Sequence, residues 1–209
     1  MTGIKLCGLS TPETVDAAVD AGATHIGLVH YEPSPRHVSL EDAAKLRRRV
    51  PETTRVVLLT VKMQPAELET AYHAVKPDII QFHGSETVEW MAMVRQILGM
   101  ETWRAIGLKE RATLDRAQQF VGKVDRMLFD APAKALPGGN GTTFQWDLLD
   151  GYDHPMPWAL AGGLNPDNVR DAIARTGAPL VDTSSGVETA PGVKDIALIR
   201  AFCEAVRAA

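Results

Sequence analysis

Ala178-Pro179-Leu180-Val181-Asp182-Thr183-Ser184-Ser185-Gly186 is a short apolar run ending in a polar, glycine-containing turn, and Trp158-Ala159-Leu160-Ala161-Gly162-Gly163-Leu164 repeats that design just upstream. Each reads as a strand that enters a glycine turn at its C-terminal end. Glycine lets backbone N–H groups approach an anion closely, and a helix start beyond such a turn adds partial positive charge. The pair therefore points to a phosphorylated ligand held at one end of a sheet.

Outward from these two segments, apolar or β-branched runs alternate with amphipathic helical stretches at nearly even spacing. Eight strands are predicted, over 4–7, 25–30, 55–61, 79–82, 102–106, 126–130, 158–161 and 180–183. Thr11-Pro12 and Asn165-Pro166 each place a capping oxygen before a proline at a helix start, and Ser39 with Asp42 approximates a capping box. Eight βα units in this length predict an α/β fold, a single (β/α)8 barrel in which residues 1–209 form one domain. A doubly wound sheet is disfavoured, because Cys7-Gly8-Leu9-Ser10 follows the first strand where a dinucleotide fold would carry Gly-x-Gly-x-x-Gly. The glycine- and proline-rich run 131–141 is long for a connection and is expected to belong to the active site.

Composition narrows the function. The chain is 45% hydrophobic and 23% charged with a formal net charge of -4, which suits a globular domain and offers no basic footprint for nucleic acid. Arg47-Arg48-Arg49 precedes Pro51 and reads as a solvated helix end. No apolar stretch reaches the roughly 18 residues of a membrane span, and no signal-peptide pattern opens the chain, so a cytoplasmic protein is expected. With Cys7 and Cys203 as the two cysteines and no Cys/His cluster, neither a disulfide framework nor a metal site is predicted.

In such a barrel the C-terminal strand ends face the ligand, so polar residues there are the candidates. Lys5 and Cys7 share one face of the first strand by the period of two, and an ammonium beside a thiol favours the thiolate. Cys7 is then either a usable base or a small buried hydrophobe. Cys203 shares a helical stripe with Ile196, Ile199 and Val206 and reads as core. Asp130 closes a mostly apolar strand just before the glycine-rich run, where desolvation would make it a proton donor; a loop cap is the alternative. Arg36 sits in the stiff Ser34-Pro35-Arg36 loop and suits a carboxylate partner. His83, in Gln81-Phe82-His83-Gly84, is either a titrating group or a satisfied strand-end residue. Pro137-Gly138-Gly139-Asn140-Gly141-Thr142 lacks the lysine of a nucleotide P-loop.

Lys5-Leu6-Cys7-Gly8-Leu9, Ser34-Pro35-Arg36, Gln81-Phe82-His83-Gly84, Phe129-Asp130, Gly138-Gly139-Asn140-Gly141, Ala161-Gly162-Gly163-Leu164 and Asp182-Thr183-Ser184-Ser185-Gly186-Val187-Glu188 stand in an order that strongly resembles the phosphoribosylanthranilate isomerases of tryptophan biosynthesis. The resemblance covers the whole chain. It implies a (β/α)8 barrel without metal or organic cofactor, a small phosphosugar substrate, and a monomer or homodimer. It implies the Amadori rearrangement of N-(5-phosphoribosyl)anthranilate, with Asp130 as general acid and Cys7 as general base. Arg36 would hold the anthranilate carboxylate, groups around Gly162, Gly163, Ser184, Ser185 and Gly186 the phosphate, and Asp182 the ribose hydroxyls, while His83 and Gly141 complete the substrate-binding set. The chain departs from the family pattern at His30, Tyr31, Thr60, Val61, Thr142 and Gln145, which bears on the wall of the anthranilate pocket. A ribulose-phosphate epimerase would need metal-binding histidines paired with aspartates at strand ends, and that cluster is missing. A non-catalytic phosphate sensor would lack the acid/base pair.

Overall fold

The computed structural model describes residues 1–132 and 146–209. Eight strands, β1 (Gly3–Cys7), β2 (His25–His30), β3 (Arg55–Thr60), β4 (Ile79–Phe82), β5 (Glu101–Gly107), β6 (Arg126–Asp130), β7 (Trp158–Leu160) and β8 (Leu180–Thr183), run parallel in sequence order. The sheet closes where β1 pairs with β8, with Lys5 opposite Asp182. The α/β barrel expected from the strand spacing is thus formed, with strand ends moved by one residue at most. β3 stops at Thr60 because Lys62 adopts a left-handed φ of 53°.

Seven α-helices are described: α1 (Pro12–Asp20), α2 (Leu40–Arg47), α3 (Pro65–Val75), α4 (Val88–Leu98), α5 (Ala112–Ala117), α6 (Val169–Thr176) and α7 (Ile196–Arg207). Thr11 caps α1 as expected, with Thr14 reciprocating, and the Ser39 hydroxyl accepts from the Asp42 N–H at 3.0 Å. Asn165 acts differently. Its side chain accepts from the N–H groups of Asp167 and Asn168, capping a turn, and α6 begins only at Val169. The Asn168 amide points back instead, donating to the Gly163 carbonyl at 3.0 Å and accepting from the Asn165 N–H at 2.9 Å. Between β6 and β7 the described residues form a short 3-10 turn, Trp146–Leu149, in place of the expected helix. An element not foreseen follows β8: the antiparallel ribbon β9 (Glu188–Ala190) and β10 (Val193–Lys194).

Side-chain alternation sorts the barrel into two apolar layers. Leu6, Ile26, Leu28, Leu58, Ile80, Phe129 and Val181 face the helices, while Val57, Ile79, Trp103, Leu128, Ala159 and Leu180 fill the interior. Above them lie Cys7, Val29 and Leu59, packed with Tyr31 and Val61. Cys203 is fully buried in the outer layer, as its stripe predicts, and burial pushes its thiol up to about 11. No helix among the described residues is long and apolar enough to cross a membrane.

At the opposite end of the barrel, His25 tilts against Trp103 at 5.2 Å. Burial, reinforced by the cations Lys5, Arg126 and Arg55, pulls its imidazole down to about 3. Below pH 6.5 the unfolded chain therefore takes up a proton that the folded barrel refuses. Stability is expected to fall as pH drops from about 6.5 toward 3, by up to about 1.4 kcal/mol per pH unit. Urea midpoints against pH, compared with His25→Asn, check this; the same acid slope in both proteins would refute it.

Candidate active site

β1 ends in Cys7 and β6 in Asp130, and both side chains line one cleft at the C-terminal mouth of the barrel. Arg36, His83, Gly162, Gly163, Asp182, Ser184 and Ser185 line it too, so the residues singled out in sequence converge from six connections. Gly186 lies just beyond, in a neighbouring hollow with Gly163, Ser185 and Asn165. Gly141, Thr142, Gln145 and most of the 131–141 run lie outside the described residues.

Cys7 is 5% exposed, and its place depends on a residue that sequence reasoning missed. A Cβ on Gly27 of β2 would sit 2.9 Å from both the Cys7 Cα and Sγ, so glycine is what leaves room for the thiol. Its signal was a lone glycine inside an apolar strand. Below Cys7, the fully buried Lys5 donates from Nζ to Asp182 Oδ1 at 2.9 Å. The expected lowering of the thiol pKa is reversed. Burial pushes the Cys7 thiol up, the Lys5 ammonium opposes this, and the Asp182 carboxylate adds to it. The lysine shares its charge with a partner from β8, so its field on the sulfur does not overcome desolvation. Lys5 itself loses to burial but gains more from Asp182 and Cys7, and remains an ammonium.

Asp130 is 6% exposed. Its Oδ1 accepts from the Ala131 N–H at 2.8 Å, while Oδ2 lies 3.4 Å from His83 Nε2. His83 Nδ1 is 3.0 Å from Gln81 Nε2, so the histidine bridges the carboxyl and a buried amide. It is both satisfied and in the cleft.

Arg36 is reached over Gly8, whose φ of 76° and lack of a Cβ let the arginine stem pass; a Cβ there would meet Arg36 Cδ at 2.6 Å. The arginine is not aimed into the cleft as a lone cation. It donates from Nε and Nη2 to the two oxygens of Glu188, at 2.8 and 2.7 Å. Burial opposes the Glu188 charge, but Arg36 and Lys194 outweigh it and hold the carboxyl below the usual glutamate range. Glu188 was legible only as part of a motif, since its partner lies 152 residues away.

The two glycine turns meet as one surface. Gly162 has φ 86° and would place a Cβ 2.3 Å from the Ala131 nitrogen. A Cβ on Gly186 would lie 1.9 Å from the Leu164 carbonyl oxygen, to which Thr183 Oγ1 also donates at 2.6 Å. Ser184 Oγ donates to the Cys7 carbonyl at 3.0 Å, tying this turn to β1. Backbone N–H groups on close-packed glycine turns suit a phosphate; a thiol and a carboxyl across the same cleft suit proton transfer. Of the sequence departures, Tyr31 and Val61 line the cleft, whereas the His30 ring lies tilted against His37 at 5.0 Å and Thr60 is fully buried.

Residues 4–205 match the family model described as N-(5'-phosphoribosyl)anthranilate (PRA) isomerase. An N-(5'-phosphoribosyl)anthranilate isomerase of Erythrobacter litoralis is 64% identical over 207 residues, covering 99% of each chain. Mutually generated monomers of the dimeric phosphoribosylanthranilate isomerase from Thermotoga maritima are similar over 100% of both chains, at 31% identity and TM-score 0.87. A phosphoribosylanthranilate isomerase in complex with reduced 1-(o-carboxyphenylamino)-1-deoxyribulose 5-phosphate is similar over 100% of both chains, at 30% identity and TM-score 0.87.

Proposed function

We infer the work of each residue from one premise: this chain belongs to the N-(5'-phosphoribosyl)anthranilate isomerase family. It is an aldose–ketose isomerase of tryptophan biosynthesis, turning N-(5-phosphoribosyl)anthranilate into 1-(2-carboxyphenylamino)-1-deoxyribulose 5-phosphate. The observation that carries the assignment of roles is that Cys7 and Asp130 line one cleft whose rim is built from the two glycine turns.

Asp130 is the general acid. It protonates the furanose oxygen, the C1–O bond breaks, and the anthranilate nitrogen lone pair forms the C1=N iminium. Cys7 as thiolate then takes the C2 proton, the electron pair moves toward nitrogen, and the enolamine tautomerises to the ketone, returning the protons. His83, beside Asp130 at 3.4 Å, touches substrate and steadies the acid's second oxygen. Asp182 orients the ribose hydroxyls from above Lys5. Gly162, Gly163, Ser184, Ser185 and Gly186 surround the phosphate, and Arg36 holds the anthranilate carboxylate against a wall that includes Tyr31 and Val61. The protein works as a monomer or a homodimer, the latter supported by the dimeric Thermotoga relative.

Turnover of phosphoribosylanthranilate, followed by loss of anthranilate fluorescence, tests this reading; binding without turnover would overturn it. Arg36 recognises a group remote from the proton transfers, so Arg36→Ala is expected to raise KM about tenfold or more while kcat changes less than about threefold. An unchanged KM would remove Arg36 from the substrate.

A further inference from the structure

A buried lysine that none of these steps uses joins both ends of the cleft. Lys194, on β10, is cross-strand from Glu188 on β9, and its side chain is 1% exposed. Its Nζ donates to Glu188 Oε1 at 2.7 Å, to the Ser184 carbonyl at 2.8 Å and to Ser184 Oγ at 3.2 Å. Glu188 in turn accepts from Arg36 Nε and Nη2, and Ser184 donates to the Cys7 carbonyl. The three donor positions of one ammonium are thus spent on the Glu188 carboxylate that Arg36 also engages and on the serine turn.

A separate contact fixes the ribbon on the same loop. Gly192, at the tip between β9 and β10, has φ 83°, and a Cβ there would lie 2.3 Å from the Pro35 carbonyl oxygen. Arg36 and Ser184 belong to connections after β2 and β8, which share no sheet pairing with each other. β1 lies between them, with Gly8 under the Arg36 stem and the Cys7 carbonyl accepting from Ser184, and the ribbon with its lysine ties the two connections together directly.

We propose that Lys194 is a positioning residue that locks the Arg36 loop to the Ser184–Ser185 turn, so that the carboxylate and phosphate ends of the substrate are recognised at a fixed separation. This rests on the roles inferred above for Arg36 and the serine turn. A site held in binding geometry before ligand arrives loses less freedom on binding, and the reacting carbon is then delivered to Cys7 by both anchors. Lys194 makes no hydrogen bond to the side chain of the acid or the base, but after Lys5 its charge also favours the Cys7 thiolate, so its loss falls on binding and, through the base, moves the rate profile to higher pH.

The test measures dissociation constants for inorganic phosphate and for anthranilate separately, with KM and kcat for phosphoribosylanthranilate. Lys194→Met is expected to weaken both ligands and raise KM by about tenfold or more, with kcat at its high-pH plateau within about threefold of the parent. Lys194→Arg keeps the charge and several donors and should restore all three values. Should the Met variant fail to fold, Glu188→Gln, which preserves shape but removes the charge shared by Arg36 and Lys194, carries the same expectation. A folded Met or Gln variant that binds both ligands as the parent does, or loses only one of them, overturns the proposal, as does a folded Arg variant that fails to restore them. A parent protein that never turns over phosphoribosylanthranilate would instead sink the isomerase roles.

Discussion

Cys7→Ala and Asp130→Asn are each expected to lower kcat by about a hundredfold or more while leaving the barrel folded. The reason is that each removes a proton-transfer group without emptying much of the core: Asp130→Asn keeps the shape and the acceptor for the Ala131 N–H, and Cys7→Ala deletes one sulfur beside Gly27. KM should move far less, because the carboxylate and phosphate anchors are untouched. The pH dependence separates the two. Burial holds the Cys7 thiol above its ordinary value, so in the empty site the thiolate is the minor form near neutrality and grows as pH rises. A base that must be deprotonated then makes kcat/KM climb with pH through the thiol's raised pKa, and a plateau already reached near about pH 7 would contradict the assignment. Alkylation of Cys7 should follow the same rising curve, with substrate protecting it, while Cys203, fully buried and pushed up to about 11, stays unreactive. Wild-type turnover in either variant would remove that residue from the chemistry.

Gly186→Ala is expected to cost about 2–4 kcal/mol of stability and, in whatever folds, to raise KM about tenfold or more. The clash is with backbone. An added methyl would stand 1.9 Å from the Leu164 carbonyl oxygen and 2.8 Å from its carbon, and that carbonyl is already held by the Thr183 hydroxyl at 2.6 Å. Relief requires the β7 and β8 turns to part, which are the two segments assigned to the phosphate. The effect is steric, since Gly186 needs no left-handed φ, whereas Gly162 combines φ 86° with a 2.3 Å approach to the Ala131 nitrogen. Urea unfolding and steady-state kinetics check both parts; parental stability with parental KM would show that the turns yield freely and do not clasp the ligand.

The barrel was readable because its signals are local. A period of two places Lys5, Cys7, Asp130 and Asp182 inside, capping residues mark helix starts, and glycines mark the turns where strands end. The ordered motifs then pointed to the isomerase family. Less readable were features whose causes lie elsewhere in the chain. Asn165 looked like a helix cap, yet the Asn168 side chain claims the Gly163 carbonyl and delays the helix to Val169. The ribbon after β8 is too short and too polar to announce itself by periodicity.

Residue order along the chain was enough to nominate the strand-end side chains that line one cleft, and to propose acid, base and anion-binding roles for them. Closure of the sheet settled how those groups behave. Lys5 meets Asp182 across 177 positions and Arg36 meets Glu188 across 152, so the thiol is governed by burial over a cation already engaged, and the arginine by a carboxylate no neighbour foretold. Electrostatic character belongs to distance and solvent exclusion, and both come into being only when β1 and β8 lie side by side.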